Sequence, residues 1–193
     1  MKLKETIDFI NGNLPSKGSV LLSEPFLQDP HFERSVVLMC EHSDAESFGF
    51  VLNHQSTAQL KDLMDIAPTS IPVYLGGPVA NNSLFYLHMI PGIESSEEIL
   101  PGLFYGGDLT ELLEMIEIDK KTLVKIRFFL GYSGWGKGQL VQEIKERSWI
   151  STTNLSLETL FFTPTETLWK TSMSFQGEQF KTFSIFPKNI ADN

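Results

Sequence analysis

The sequence predicts an α+β chain: a mixed β-sheet with helices packed on it, in one domain. Three observations carry this. Short apolar runs rich in Val and Phe alternate irregularly with segments of helical period. The chain has 193 residues, 41% of them hydrophobic and 20% charged; at this size a single core can bury about 70% of the unfolded surface. No internal repeat, low-complexity tract or linker divides it.

Taken in order, Leu3, Ile7, Ile10 and Leu14 recur at helical spacing, with Gly12 as a stop. Residues 18–23 read as a strand halted by Pro25, and Gln28-Asp29-Pro30 as a turn. The apolar runs 35–41 and 48–53 flank polar residues 43–47, which predicts a hairpin with a five-residue loop. Ser56 with Gln59 forms a capping-box pattern ahead of Leu60, Leu63 and Met64, and Pro68 and Pro72 close that segment. Strands are expected at 73–75, 83–90 and 103–105. Asp108 with Glu111 starts a helix carrying Leu112, Leu113 and Ile116. A strand over 123–130 is expected to enter a glycine-rich turn, Gly131 to Gly138, with Leu140, Val141 and Ile144 on the helix after it. Thr163 as cap, Pro164 at the first helical position and Glu166 at the third predict one more helix. The stretch 175–193 gives no firm assignment.

Charge narrows the function classes. The formal net charge is -9, from 15 basic and 24 acidic residues, and no tract of clustered Lys and Arg exists to neutralise phosphates. Direct DNA binding is therefore not expected. The start of the chain is polar and the apolar runs are too short for a membrane span of roughly 20 residues; a cytoplasmic protein without membrane contact is the expectation. The single cysteine, Cys40, lies in an apolar run beside Glu41, a setting that disfavours thiolate and points to a buried structural role.

The chemical motifs fail one by one. Gly131-Tyr132-Ser133-Gly134-Trp135 has the start of a nucleophile elbow, but Trp135 stands where that turn needs glycine. No histidine follows it, since the four are His31, His42, His54 and His88, so the Ser, acid, His order cannot be built. Gly134, Gly136 and Gly138 with Lys137 suggest an anion cradle, yet the Walker and dinucleotide patterns are both broken, by Gly138 and Gln139. Glycines that let one backbone pass close to another are the commoner explanation. The histidines are too irregularly spaced for a local metal motif. No metal and no cofactor are expected. Aromatics beside the glycines, Tyr105, Phe128, Phe129, Tyr132, Trp135 and Trp149, suit either a core or a shallow apolar cleft for a partner's side chain.

The chain resembles the AlgH/YqgE family of small bacterial proteins. The likeness runs through residues 18–42 (GSVLLSEPFLQDPHFERSVVLMCEH), 48–54 (FGFVLNH), 73–79 (VYLGGPV), 84–88 (LFYLH) and 131–144 (GYSGWGKGQLVQEI), then Ser148-Trp149-Ile150. Its best-matched core is 15–165 within a single domain spanning 1–193. The resemblance implies a single-domain α/β sandwich, a mixed sheet with flanking helices, with no known catalytic activity or cofactor; one family label is transcriptional regulator. Its motif residues fall on Asp29, Pro30, Phe32, Arg34, Ser35, Glu41, His42, Asn53, Gly76, Gly77, Pro78, His88, Gly131, Gly134, Trp135, Gly138, Gln139, Leu140, Glu143 and Trp149. The chain departs from the pattern at His54, where a basic residue is usual, at Ser133, often alanine, and at Val141, commonly glutamate.

These readings combine into a binding or regulatory protein that is not an enzyme, with an unknown protein or small molecule as partner. Its expected cleft joins Asp29, Arg34, Glu41, His42 and Asn53 to Gly76, Gly77, Pro78 and His88, and to Gly131, Trp135, Gly138, Gln139 and Glu143. Arg34 would fix the loop by pairing with Asp29 or Glu41, and Trp135 would supply the apolar contact. The rival expectation is an enzyme with His42 as base, Glu41 or Glu143 nearby and the glycine turn as an anion hole. A regulator acting indirectly, through a protein partner, is the third.

Overall fold

The computed structural model describes residues 14–64 and 71–184. The first expected helix up to Gly12, Pro68 and the last nine residues lie outside these.

Among the described residues ten strands are present: β1 (Val20–Ser23), β2 (Val36–His42), β3 (Glu46–Val51), β4 (Gln55–Gln59), β5 (Pro72–Leu75), β6 (Val79–His88), β7 (Ser96–Leu100), β8 (Leu103–Gly106), β9 (Ile126–Gly136) and β10 (Trp149–Thr152). Among the described residues six helices accompany them: α1 (Leu60–Leu63), α2 (Leu109–Ile118), α3 (Gln139–Lys145), α4 (Leu157–Phe162), α5 (Thr165–Ser174) and α6 (Glu178–Ser184). The sheet order is β10-β1-β2-β3-β9-β6-β8-β7, with β5 also pairing β9 and β4 pairing β5. Among the described residues only the β5–β9 pair is parallel; the sheet is mixed, as the sequence predicts, and it curls. No helix among the described residues is long and apolar enough to cross a membrane.

Alternation along the strands buries both faces. Val20, Leu22, Val36, Leu38, Cys40 and Phe50 point one way, to Leu160, Leu168, Trp169 and Met173 of α4 and α5. Their neighbours Leu21, Val37, Met39 and Val51 point the other way, to Leu140 and Ile144 of α3. Farther along, Val73, Tyr86, Ile126 and Phe128 pack on Leu112, Leu113 and Ile116 of α2. The helices therefore flank the sheet on both sides, which is why strands such as β2 read as continuous apolar runs.

Several local expectations shift. The hairpin loop is Ser43–Ala45, not five residues, because Glu46 and Ser47 already pair in β3. Ser56 and Gln59 are not a capping box: pairing with β5 draws that segment into β4, and the helix starts one turn later, with Asp62 accepting from the Gln59 N–H at 2.8 Å. Residues 120–125 form a 3₁₀ turn, so the strand begins at Ile126. Thr163 ends α4 instead of capping α5, and Pro164 takes the cap position with no side-chain bond. Asp108 does cap α2, accepting from Thr110 and Glu111 N–H at 2.8 and 3.0 Å, while Glu111 reaches the Glu94 N–H instead of closing the box.

Candidate functional site

The expected glycine turn is a strand. β9 continues through Gly131-Tyr132-Ser133-Gly134-Trp135-Gly136 and pairs with β3 there, Ser47 opposite Trp135 and Phe48 opposite Gly134. Gly131 has φ +67°, a left-handed residue inside a strand, which swaps the alternation of side chains across it. Before it, Phe129 lies on the sheet face that carries Phe50; after it, Tyr132 lies on the face that carries Phe48 and Phe85, and Trp135 turns to α3. A Cβ on Gly131 would meet the Gly77 carbonyl oxygen at 2.5 Å, and one on Gly77 would meet the Tyr132 carbonyl carbon at 2.3 Å. Gly76, Gly77 and Gly131 thus form a backbone crossing with no room for a ligand, and the Ser133 hydroxyl donates into it, to the Gly76 carbonyl at 2.9 Å. The elbow and anion-hole readings fail on this geometry: Ser133 is buried with its hydroxyl already committed, and the N–H groups run along a strand instead of converging.

Trp135 is core, which corrects its expected place as an exposed contact: it is 4% exposed and packs with Leu140, Ile144 and Trp149. Glu143 holds it. One carboxylate oxygen accepts from the indole N–H of Trp135 at 2.9 Å and of Trp149 at 2.8 Å; the other accepts from the Gln139 amide at 2.9 Å. Gln139 in turn accepts from the Gly136 N–H at 3.1 Å. Phe32 closes the cluster, its ring centroid 6.2 Å from that of Trp135 and 5.3 Å from that of Trp149. Asp29 shapes the turn that delivers Phe32, accepting from the His31 N–H at 2.8 Å. Gly138 starts α3 with φ +70° and open space around it.

The remaining candidates divide. His42 lies on the same sheet face, its Nδ1 bonded to the Ser47 hydroxyl at 2.7 Å, and Glu41 accepts from the His42 backbone N–H at 3.1 Å. Neither Glu41 nor Glu143 is bonded to the imidazole. Asn53 clamps the loop before β2, accepting from the Val36 N–H at 2.8 Å and donating to the Arg34 carbonyl at 2.9 Å. Arg34 lies over the Trp169 ring, 5.1 Å from its centroid. Pro78 is exposed at the start of β6. His88 stands apart: it pairs opposite Ile126, while Ser47 pairs opposite Trp135, roughly 30 Å farther along β9 at the usual strand rise. It is fully buried, its Nε2 bonded to the Gly106 carbonyl at 2.9 Å. Burial holds its pKa below the ordinary imidazole value, with its backbone hydrogen bonds acting the other way. Burial likewise pushes the Cys40 thiol far up. Among the described residues no three His, Cys, Asp or Glu side chains gather as a metal-binding group.

A groove of about 550 Å³ lies on the other face of β3 and β9, where Phe48, Phe85, Tyr105 and Tyr132 make the floor and Ala45, Glu46, Val79 and Gly136 the rim. Ser47 and Trp135, both buried, also border it. The rings meet edge to face, Phe48 with Tyr105 and Tyr132 at 5.5 and 5.8 Å and Phe85 with Tyr132 at 5.7 Å. Gly134 makes space for them: a Cβ there would meet the Tyr132 ring at 3.1 Å. Burial, then Cys40, Glu97 and Tyr132, push the Tyr105 phenol up. Sequence reading finds Tyr105 and Tyr132 as aromatics beside glycines but misses Phe48 and Phe85. Their signal is the period-two spacing with Phe50 and Leu87, legible only once the strand pairing is known.

Comparison with known proteins places this architecture. A family model described as AlgH-like (DUF179) matches residues 20–181. A UPF0301 protein of Parabacteroides distasonis is 39% identical over 185 residues, covering 93% of this chain and 92% of its own. One of Bacteroides thetaiotaomicron is 39% identical over 180 residues, with 92% and 91% covered. A crystal structure from Corynebacterium diphtheriae superposes with a TM-score of 0.74 at 26% identity, over 90% of this chain and 94% of that one. The solution structure of the AlgH protein from Pseudomonas aeruginosa gives 0.69 at 25%, over 90% and 95%. On the family match, the relatives and the shared fold together, the chain belongs to the AlgH-like family.

Proposed function

We propose that this chain is a binding protein that works without chemical turnover, and that its site is the aromatic groove between the β2–β3 hairpin and β9. One observation carries the reading: four rings, Phe48, Phe85, Tyr105 and Tyr132, form a floor that is only partly buried, in a groove whose volume lies within the ~300–1,000 Å³ usual for ligand sites. Leaving aromatic surface wet is unfavourable, so a groove of this kind gains free energy when an apolar group enters it. The Tyr105 and Tyr132 phenols give such a group orientation. The groups that an enzyme reading needs are engaged elsewhere: His42 with Ser47, Glu143 with two indoles and Gln139. The reading keeps the glycine-rich stretch of β9 as part of the site and replaces Trp135 with Tyr132 as its apolar contact.

Indole, a flat apolar ring with one donor, is a suitable probe. Titrated into labelled protein, it should shift the resonances of Phe48, Phe85, Tyr105 and Tyr132 and saturate. Gly136→Leu should block this while the protein still folds, because Gly136 is exposed, has no left-handed φ and its Cβ would meet nothing nearer than the Gln139 side chain at 3.9 Å. Shifts confined to other residues, or a Gly136→Leu variant that binds indole as well as the parent does, would remove the groove as the site.

A further inference from the structure

A second concavity lies at the other end of β9 and belongs to a different chemistry. Arg127 is 7% exposed. Its guanidinium donates to the carbonyls of Leu52 at 3.0 Å, Leu160 at 3.4 Å and Phe161 at 3.0 Å. The guanidinium carbon lies 4.9 Å from the ring centroids of both Tyr74 and Phe161. Leu160 and Phe161 are in the last turn of α4, so part of this arrangement is a helix C-cap. Three carbonyls, however, supply dipoles and no full negative charge. A guanidinium has five N–H donors, and these three bonds leave two without a protein acceptor. No Arg127 nitrogen is among the buried polar atoms left without a partner, so the two remaining donors are reachable from outside, and an anion meeting them would add charge-assisted hydrogen bonds.

Arg127 lines a cavity of about 470 Å³ between β5, the 3₁₀ turn before β9 and the α4–α5 connection. Its walls are apolar at Ile71, Leu123, Val124 and Phe162, and Val124 and Phe162 are 64% and 56% exposed at the mouth. The N-terminus of the ten-residue helix α5 opens on the same space at Thr165 without a side-chain cap, and its free N–H groups favour negative charge. Glu166, exposed on the rim, sets a limit: in a chain of net charge -9 with one cation in the cavity, a dianion would be repelled.

We propose that this cavity binds an organic monocarboxylate with an apolar body, the carboxylate taking the two remaining N–H donors of Arg127 and the body lying against Leu123, Val124 and Phe162. The assignment is independent of the aromatic groove, and either can fail alone.

Octanoate, titrated calorimetrically into the full chain, tests it. The expected result is saturable binding of one molecule per chain, about tenfold tighter than octan-1-ol, because a carboxylate adds charge-assisted hydrogen bonds that an alcohol lacks. Glu166→Gln should tighten octanoate binding severalfold and leave the alcohol unchanged. Val124→Glu, at an exposed position that folding does not depend on, should weaken octanoate about tenfold through like-charge repulsion at the mouth. Arg127→Gln should abolish the preference for octanoate over octanol; should that variant fail to fold, the two mouth variants decide. Equal affinity for acid and alcohol, no saturation by octanoate at millimolar concentration, or a Val124→Glu variant that titrates like the parent would each overturn the proposal.

Discussion

Glu143 is the carboxylate that ties the indole cluster together. One of its oxygens serves two indole N–H groups, of Trp135 and Trp149, both nearly out of solvent. Removing the acceptor leaves two donors unpaired at about 1–3 kcal/mol each, so Glu143→Ala should lower stability by about 2–4 kcal/mol, while Glu143→Gln, which keeps an acceptor oxygen, should cost about 1 kcal/mol. Trp135→Ala should cost about 3–5 kcal/mol as a large core truncation, and the double variant Trp135→Ala/Glu143→Ala should be less destabilised than the sum, since the two losses share one hydrogen bond. Urea unfolding of the parent, the two alanine variants and the double variant checks this; additivity would show that the carboxylate does not hold the ring. His88 gives a pH signature. Its folded pKa is depressed by burial, so the unfolded chain binds the proton more readily. Its contribution to stability is therefore fully present above about pH 6.5, the ordinary imidazole value, and is lost as pH falls below it. The thermal midpoint should drop between pH 7 and pH 5, and the drop should be smaller in His88→Gln.

At the scale of the element, β9 decides the molecule. It is the one strand that touches β3, β5 and β6, and Gly131 inside it switches which residues face which helices. Two left-handed glycines nearby give a controlled comparison. Gly131 at φ +67° has the Gly77 carbonyl 2.5 Å from where a Cβ would stand, whereas Gly138 at φ +70° has open space. Gly138→Ala should cost only the backbone strain, about 1 kcal/mol; Gly131→Ala should add the clash and cost about 3 kcal/mol or more. Equal costs would mean that the crossing can open without penalty. This element also marks where sequence reading ends. β2, β3 and α2 are legible because continuous apolar runs, a period of 3.6 and an Asp cap are local signals. Sequence alone cuts β9 short at Leu130 because four glycines within eight residues, 131 to 138, look like a turn. Only the facing strand β3 and the crossing at Gly76 and Gly77 make them strand glycines. β4 reads as a helix start for the same kind of reason: Ser56 and Gln59 fit a cap locally, and pairing with β5 wins. Of the aromatic groove, Tyr105 and Tyr132 are legible in the sequence as aromatics beside glycines, but the side of β9 on which Tyr132 stands depends on the parity switch at Gly131.

For the whole molecule, a sheet with helices on both faces leaves charge to the outside, and most of that charge is negative. The net charge of -9 on 193 residues makes the compact state repel itself, since folding brings like charges closer than in the extended chain. Among the described residues the ion pairs Lys17–Glu97 and Lys181–Glu178 lie at least partly in solvent, and such pairs are worth about 0–1 kcal/mol each. Salt shortens the screening length from about 30 Å at 10 mM to about 8 Å at 150 mM, which weakens the many long-range repulsions more than the few close pairs. The thermal midpoint should therefore rise by a few degrees between 10 mM and 150 mM sodium chloride. The same surface should give no mobility shift with duplex DNA at 150 mM salt, because phosphate contacts need clustered cations. A midpoint that falls with added salt would mean that close ion pairs outweigh the acidic surface, and would reopen the case for a local basic face.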